Sequence, residues 1–247
     1  MLEGKKILVA GATGHMGEQI ACFLVQSGAV AVLVGRNTDK LKKIEDSLHG
    51  SALSIAADLT KSDEIEKVFH ELKAKEMKLD GLVYCAGVCF QSAVKMTTED
   101  ELLEMFRINT MAFYLLAKYC SMPKYSNSNC SIVTISSMAS RTNEAGLSLY
   151  SMTKSAMNSA VRSMAKEFVK RRIRVNAILP AEVMSKMASD DNEWTGEEIK
   201  AIQSYQPYGP IPIEQIVYCV AFLLSDHSGY ITGECIAIGG GYQIKKT

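Results

Sequence analysis

The stretch that decides the fold is Lys6-Ile7-Leu8-Val9-Ala10-Gly11-Ala12-Thr13-Gly14-His15-Met16-Gly17. Its first five residues form an apolar run that predicts a strand, and a helical period follows from Met16 to Ser27. At the turn, Gly11 permits a sharp bend, Gly14 lets the backbone approach a pyrophosphate, and Gly17 lets the helix pack closely on the sheet. The N-terminal amides of the helix favour phosphate charge. The stretch therefore predicts a phosphate loop between a strand and a helix.

Short apolar runs alternate with stretches of helical period along the rest of the chain. Further strands are predicted at 30–34, 54–57, 82–86, 131–135, 174–179 and 235–238. Helices are predicted at 39–48 with Thr38 as N-cap, over about two dozen residues before 131–135, and at 214–224. Apolar stripes mark two more helices: Ile65, Val68, Phe69, Leu72 and Met157, Ala160, Val161, Met164, Phe168. The pattern predicts an α/β fold, a single Rossmann-type doubly wound parallel sheet with helices on both faces, forming one domain over 1–247.

Composition excludes several classes of protein. The 247 residues contain 27 Lys and Arg and 27 Asp and Glu, so the chain lacks the basic excess that nucleic-acid binding requires. No apolar run reaches the roughly 18 residues of a membrane span. The seven cysteines are odd in number and include no Cys-x-x-Cys, and the four histidines lack zinc-ligand spacing. We expect free thiols, no metal site and a cytoplasmic location.

One segment near the end of the chain differs from the rest. Residues 185–209 are polar, contain several acids and lack a strand pattern. Thr195 and Glu198 form a capping-box pair, which predicts a short helix. Because the segment follows a strand end, where ligands bind in such sheets, we expect a substrate lid at about 184–210. An inert surface loop is the alternative.

The end of the second predicted strand indicates which dinucleotide the loop holds. A cofactor without a 2′-phosphate is usually bound by an acid about 20 residues after the glycines. Here the chain has Arg36, and Asp39 comes too late. A guanidinium binds a 2′-phosphate in a fork geometry, whereas a carboxylate repels it. Arg36 therefore favours NADP(H) over NAD(H).

A possible catalytic set follows the predicted strand at 131–135. Tyr150 and Lys154 are four residues apart in a helical segment, so they share one face. We expect the ammonium to lower the pKa of the phenol, which makes the tyrosine useful for proton transfer. Ser137 lies where its hydroxyl can hydrogen-bond the same substrate oxygen. A Tyr-x-x-x-Lys pair alone is common, but its combination with the phosphate loop favours catalysis.

These features resemble the short-chain dehydrogenase/reductase family over nearly the full chain, in the single-domain branch that includes 3-oxoacyl-carrier-protein reductases. Further matches are Ala57-Asp58-Leu59, Ala86-Gly87, Arg107-Ile108-Asn109, the segment 174–180 and Val183-Met184-Ser185. The resemblance implies a tetrad of Asn109, Ser137, Tyr150 and Lys154, in which Tyr150 protonates the carbonyl oxygen and Asn109 holds a water. The implied cofactor-binding residues are Gly11, Thr13, Gly14, His15, Met16, Gly17, Arg36, Asp58, Leu59, Ala86, Gly87, Tyr150, Lys154, Pro180 and Val183.

The chain also departs from the family pattern. Its G-x-x-G-x-x-G spacing is that of the longer, sugar-nucleotide-modifying branch. Tyr84-Cys85 replaces the common Asn-Asn before Ala86-Gly87, which removes a polar support of the central sheet. Ala181 and Gly239 replace a glycine and an aspartate. None of these changes removes a member of the tetrad.

The motifs together predict an NADP(H)-dependent reductase of a ketone. The alternatives are a 3-oxoacyl-carrier-protein reductase, a sugar-nucleotide reductase or epimerase, and a non-catalytic NADP-binding regulatory protein. Four cations at 170–174 (Lys170, Arg171, Arg172, Arg174) either dock an acidic carrier protein or simply complement a helix C-terminus. The resemblance implies a homotetramer or homodimer that acts on a small-molecule carbonyl or alcohol.

Overall fold

A parallel sheet forms the centre of the computed structural model, which describes residues 1–184 and 195–242. Within those ranges its seven strands are β1 Lys6–Ala10, β2 Val30–Gly35, β3 Ala52–Ala56, β4 Leu79–Tyr84, β5 Ser126–Ile135, β6 Arg174–Pro180 and β7 Cys235–Ile238. They are ordered β3-β2-β1-β4-β5-β6-β7, and every neighbouring pair is parallel. This topology confirms the predicted doubly wound α/β fold.

Helices cover both faces of the sheet. They are α1 His15–Gln26, α2 Thr38–Ser47, α3 Ser62–Ala74, α4 Glu99–Phe106, α5 Ala112–Cys120, α6 Ala139–Thr142, α7 Ser148–Glu167, α8 Gly196–Gln203 and α9 Ile213–Leu224. Alternate residues of a strand point to opposite faces. In β1, Leu8 therefore packs in the core with α3, α5 and α7, whereas Ile7 and Val9 pack in the core with α1, α2 and α9.

Two predicted helix details were wrong. Thr38 was expected to be the N-cap of α2, but it is the first helical residue. The side chain of Asn37 accepts the capping hydrogen bond from the Lys40 amide at 2.9 Å. The long helix expected before β5 is interrupted by a π-helical turn, Arg107–Met111, which separates α4 from α5. This turn contains Asn109.

The strand order reverses beside β1, which is where ligands bind in doubly wound sheets. β1 pairs with β2 on one side and with β4 on the other, so Ala10 lies between Val34 and Tyr84. The carboxyl ends of these three strands therefore open into one crevice. The glycine turn at 11–17 lies directly above it.

The predicted short helix of the polar segment is present. α8 begins after Thr195, whose side chain accepts from the Glu198 amide at 3.2 Å while the Glu198 carboxylate accepts from the Thr195 amide at 2.7 Å. Residues 185–194 of the predicted lid lie outside the described residues. None of the helices in the described part of the chain has the length and apolar character needed to cross a membrane.

Candidate active site

The glycine turn brings three backbone segments into close contact. Gly11 has φ +91°, and a Cβ there would lie 2.6 Å from the Ala86 nitrogen. A Cβ on Gly17 would lie 2.2 Å from the Gly11 oxygen, so α1 rests directly on the turn. Gly14 is the N-cap residue of α1 and has no side chain to occupy the helix amides. The first N–H groups of α1 therefore have no side-chain cap, and uncapped amides at a helix N-terminus suit phosphate.

A groove of about 220 Å³ runs from the glycine turn along the ends of β2, β3 and β4. Eight predicted cofactor-binding residues line it: Gly11, Thr13, Gly14, Arg36, Asp58, Leu59, Ala86 and Gly87. The other seven predicted cofactor-binding residues do not line this groove: His15, Met16, Gly17, Tyr150, Lys154, Pro180 and Val183. The walls also include Cys85 and Ile108, which lie in the quoted motifs without a predicted cofactor role, and Thr60, Val88 and Glu104, which the motifs did not indicate. The shape and the glycine cradle fit the adenosine and phosphate portion of a dinucleotide.

Two charged side chains face each other across the far end of the groove. Arg36 is exposed, and no salt bridge to it occurs in the described part of the chain. The Asp58 carboxylate accepts hydrogen bonds from the Thr60 amide at 3.0 Å and the Thr60 hydroxyl at 2.8 Å. Burial raises the pKa of Asp58, but these hydrogen bonds with the charges of Lys61 and Arg36 outweigh it and hold the pKa below its usual value. Asp58 is therefore a firmly ionised acceptor.

Tyr150 and Lys154 lie on one face of α7, as their spacing predicts. The Lys154 Nζ is 5.6 Å from the centroid of the Tyr150 ring and donates to the Ile135 carbonyl at 2.9 Å. Ser137 follows β5, its side chain lowers the pKa of the Tyr150 phenol, and its oxygen accepts from the Ala139 amide at 3.1 Å. The structure thus brings the predicted serine, tyrosine and lysine together at the carboxyl edge of the sheet.

The expected effect of Lys154 on the tyrosine was wrong. Burial raises the pKa of Tyr150 to about 12, with smaller contributions from Cys89 and Glu182, and the Ser137 hydrogen bond opposes this only in part. Burial also lowers the pKa of Lys154 to about 8. Desolvation is therefore the largest influence on both pKa values, and Lys154 is not among the groups that shift the pKa of Tyr150. In this arrangement Tyr150 is a protonated phenol at neutral pH and can donate a proton.

Asn109 joins the site through the π-helical turn. Its Oδ1 accepts from the Val88 amide at 2.9 Å, and its Nδ2 donates to the Val88 carbonyl at 2.9 Å and the Thr153 hydroxyl at 3.1 Å. A Cβ on Gly87 would lie 3.1 Å from Asn109 Oδ1 and 3.6 Å from Lys154 Nζ, so the three residues meet. Both amide hydrogens of Asn109 are used by protein groups. The side chain therefore holds the loop after β4 against α7.

The end of β6 closes the site beside Ser137. The Pro180 carbonyl accepts from the Met138 amide at 2.8 Å, and Val183 forms a parallel bridge with Ile211. Between them lies Glu182, whose pKa is raised by burial and by Glu144. The motifs did not single out Glu182 or Cys89, although both influence the Tyr150 phenol. For Glu182 the available signal was its place between Pro180 and Val183.

Two of the four cations at 170–174 form hydrogen bonds to backbone groups within the protein. Arg171 donates to the carbonyls of Ser121 and Ser126 at 2.8 and 2.7 Å. Arg174 is buried and donates to the carbonyls of Leu223 and Ser225 at 2.7 and 3.1 Å. These guanidinium groups donate hydrogen bonds to backbone carbonyls near the ends of α5 and α9, where carbonyls lack partners within their own helix, and at the start of β5. For these two residues the contacts favour the structural interpretation of the cluster over carrier docking.

A doubly wound sheet with a glycine turn at its switch point and a Tyr-Lys pair beside it defines a nucleotide-dependent oxidoreductase. The family model described as Enoyl-(Acyl carrier protein) reductase matches residues 11–243. The chain belongs to the short-chain dehydrogenase/reductase family.

Similar proteins span the same length. The chain is 31% identical to 3-oxoacyl-(acyl-carrier-protein) reductase FabG of Rickettsia felis, with 97% of each chain covered. It is 27% identical to carbonyl reductase family member 4 of Xenopus laevis, over 97% of this chain and 98% of that one. A solved short-chain type dehydrogenase/reductase from Mycobacterium ulcerans superposes with a TM-score of 0.89 at 26% identity, over 97% of this chain and 90% of that one.

Proposed function

We propose that the protein reduces a ketone to an alcohol with NADP(H). The observation that carries this proposal is the Tyr150 phenol, which is kept protonated beside the Ser137 hydroxyl while Lys154 lies one helical turn away. A protonated phenol next to a second hydroxyl is the arrangement that a carbonyl oxygen needs when it becomes an alkoxide.

The groove supports the choice of cofactor. The Gly11–Gly17 turn cradles a pyrophosphate, Asp58 accepts hydrogen bonds at the adenine end, and the unpaired Arg36 suits a 2′-phosphate. His15 and Met16 begin α1, so their amides would help to hold the phosphates, and Pro180 and Val183 would help to hold the nicotinamide. The bound nicotinamide supplies the hydride.

Each member of the tetrad has a distinct task in this proposal. Tyr150 donates its proton to the substrate oxygen, which as an alkoxide is a stronger base than the phenolate left behind. Ser137 donates a hydrogen bond to the same oxygen and so orients the carbonyl. Lys154 stabilises the phenolate and binds the nicotinamide ribose. Asn109 holds Val88 and Thr153 in place, and the water that the family resemblance implies would bind through a group other than its amide hydrogens.

A second candidate is the reduction of a 3-oxoacyl group on a carrier protein. The similarity to the Rickettsia felis enzyme favours it. Lys170 and Arg172 are the two cations of the basic cluster that the described contacts leave for a carrier. A 3-oxoacyl thioester therefore belongs among the substrates to be tested.

We further propose a cytoplasmic protein with one domain over 1–247, a substrate lid at about 184–210, and self-association as a dimer or tetramer. Apolar side chains are exposed on α4, the π-helical turn, α5 and α7: Leu103, Met111, Tyr114 and Met152. Exposed apolar side chains on neighbouring helices suit a subunit interface. Light scattering should give a mass of two or four chains, and Tyr114→Glu should reduce it. A wild-type mass of one chain would contradict the proposed self-association.

The function is tested by following NADPH and NADH absorbance with a panel of ketones, sugars and 3-oxoacyl thioesters. Oxidation of NADPH with at least one ketone, faster than oxidation of NADH, is the expected result. Turnover of the thioester alone supports the second candidate. NADPH binding without turnover on any compound contradicts an enzyme and favours a regulatory protein.

A further inference from the structure

The strand that leads into the site ends in a buried tyrosine where the family commonly has asparagine. Tyr84 is the last residue of β4 and is fully buried. Its ring packs on Phe113 of α5, with centroids 5.8 Å apart. Its hydroxyl donates a hydrogen bond to the carbonyl oxygen of Ile108. Burial raises the pKa of this hydroxyl, which therefore stays a donor.

The acceptor of this bond lies in the π-helical turn Arg107–Met111. A π turn widens the helix by one residue and is less regular than the α-helix on either side of it. A side-chain donor beside this less regular turn stabilises the turn's carbonyl through a hydrogen bond. The Tyr84 hydroxyl supplies that donor from the neighbouring strand. The Tyr84 side chain thus makes a polar contact to the π turn, and its ring packs in the core.

The same turn carries the contacts that hold the catalytic helix. Besides the bonds from Asn109 to Val88 and Thr153, the Thr110 hydroxyl donates to the Thr153 carbonyl at 3.0 Å. The Thr153 hydroxyl in turn donates to the Tyr150 carbonyl at 2.7 Å. A continuous set of hydrogen bonds therefore runs from the turn to the first turn of α7 and to the loop beside the groove.

We propose that Tyr84 is a positioning residue, whose hydroxyl holds the π turn in the register that places Asn109 against Val88 and Thr153. The kinetic part of this inference rests on the proposed reductase function. Tyr84 touches neither substrate nor cofactor in this account. It acts through Asn109 on the placement of Tyr150.

Tyr84→Phe removes the hydroxyl and keeps the ring. Tyr125→Phe is the matched control. Tyr125 is also almost fully buried in the same core, packs against Phe69 in a tilted arrangement, and donates no side-chain hydrogen bond to any described residue. We expect Tyr84→Phe to lower kcat about tenfold while KM for the ketone and Kd for NADPH stay within about twofold. Tyr125→Phe should leave all three unchanged. An unchanged kcat for Tyr84→Phe, or an equal loss in both variants, overturns the proposal.

A double-mutant cycle shows whether Tyr84 acts through Asn109. Adding Tyr84→Phe to Asn109→Ala should lower kcat no further, whereas a full additional tenfold loss means independent action and overturns the proposal. Hydrogen exchange of the Val88 amide tests the same point without turnover. It should quicken in Tyr84→Phe and not in Tyr125→Phe, even if the protein proves not to be a reductase. Equal exchange in the wild type and Tyr84→Phe overturns the positioning role.

Discussion

The Lys154 ammonium nitrogen lies 5.6 Å from the centre of the Tyr150 ring, and its hydrogen bond goes to the Ile135 carbonyl at 2.9 Å. Both side chains are desolvated, and each has the pKa shift expected for a group that is hard to ionise in place. Without cofactor, the site therefore contains a neutral phenol beside a lysine whose ammonium group loses its proton more readily than usual. The pH dependence of stability and the proton chemistry both follow from this arrangement.

The buried Lys154 should make stability depend on pH. Its pKa is about 8 in the folded chain, against an ordinary value of 10.5. Between these two values the folded chain has lost the proton that the unfolded chain still binds, so the stability of the wild type rises with pH. The gap corresponds to about 3 kcal/mol. Lys154→Met should thus be the more stable protein at pH 7, with its advantage falling by about that amount from pH 8 to 10.5.

Urea unfolding of the cofactor-free proteins over that pH range measures the difference. Lys166→Met on the exposed face of the same helix is the control and should show no such trend. A constant difference between wild type and Lys154→Met would mean that the lysine is not desolvated.

Arg36 should distinguish the two nicotinamide cofactors. A charge-assisted hydrogen bond to a phosphate contributes about 1.5–3 kcal/mol, so Arg36→Ala should weaken NADPH binding about 10- to 100-fold. NADH has no 2′-phosphate and should bind as before. Isothermal titration with both nucleotides measures this. Lys40→Ala is the control, because Lys40 is nearby but pairs with Glu18 at 3.2 Å. Equal losses for NADPH and NADH would show that Arg36 does not contact the 2′-phosphate.

Gly17 should tolerate no side chain. A Cβ there would lie 2.2 Å from the Gly11 oxygen and 2.9 Å from the Ala12 Cα, so α1 must move away from the turn. Gly17→Ala should destabilise the fold by about 1–3 kcal/mol in urea unfolding and weaken NADPH binding. Gly196→Ala, at the first residue of α8, meets nothing within 4 Å and should be neutral or stabilising. Equal stability of both variants would refute the close packing.

The sheet and the helices that cover it were predictable because their signals are local. The apolar stripe Ile65, Val68, Phe69, Leu72 is buried in α3 as its spacing requires, and β1 and β7 have their predicted bounds. The capping box of Thr195 and Glu198 specifies the start of α8 in the same way. Such patterns depend on neighbours a few residues away, which the sequence shows directly.

The features that escaped prediction depend on contacts across the fold. The π turn at Arg107–Met111 is stabilised by Tyr84, more than twenty residues earlier in the chain. Burial raises the pKa of the Tyr150 phenol, whereas the Lys154 ammonium alone was expected to lower it. Glu182 reaches the site because β6 ends beside β5. Each of these features depends on residues that are far apart in the sequence, so no short sequence pattern predicts it.

The proton-donating role of Tyr150 is the central claim, and Tyr150→Phe tests it most directly. The variant removes one hydroxyl and keeps the ring, so its Kd for NADPH should stay within about twofold of the wild type. Its rate of ketone reduction should fall about 1,000-fold, because the alkoxide then has no positioned acid. A variant that binds NADPH normally and retains turnover within about tenfold of the wild type would contradict the account.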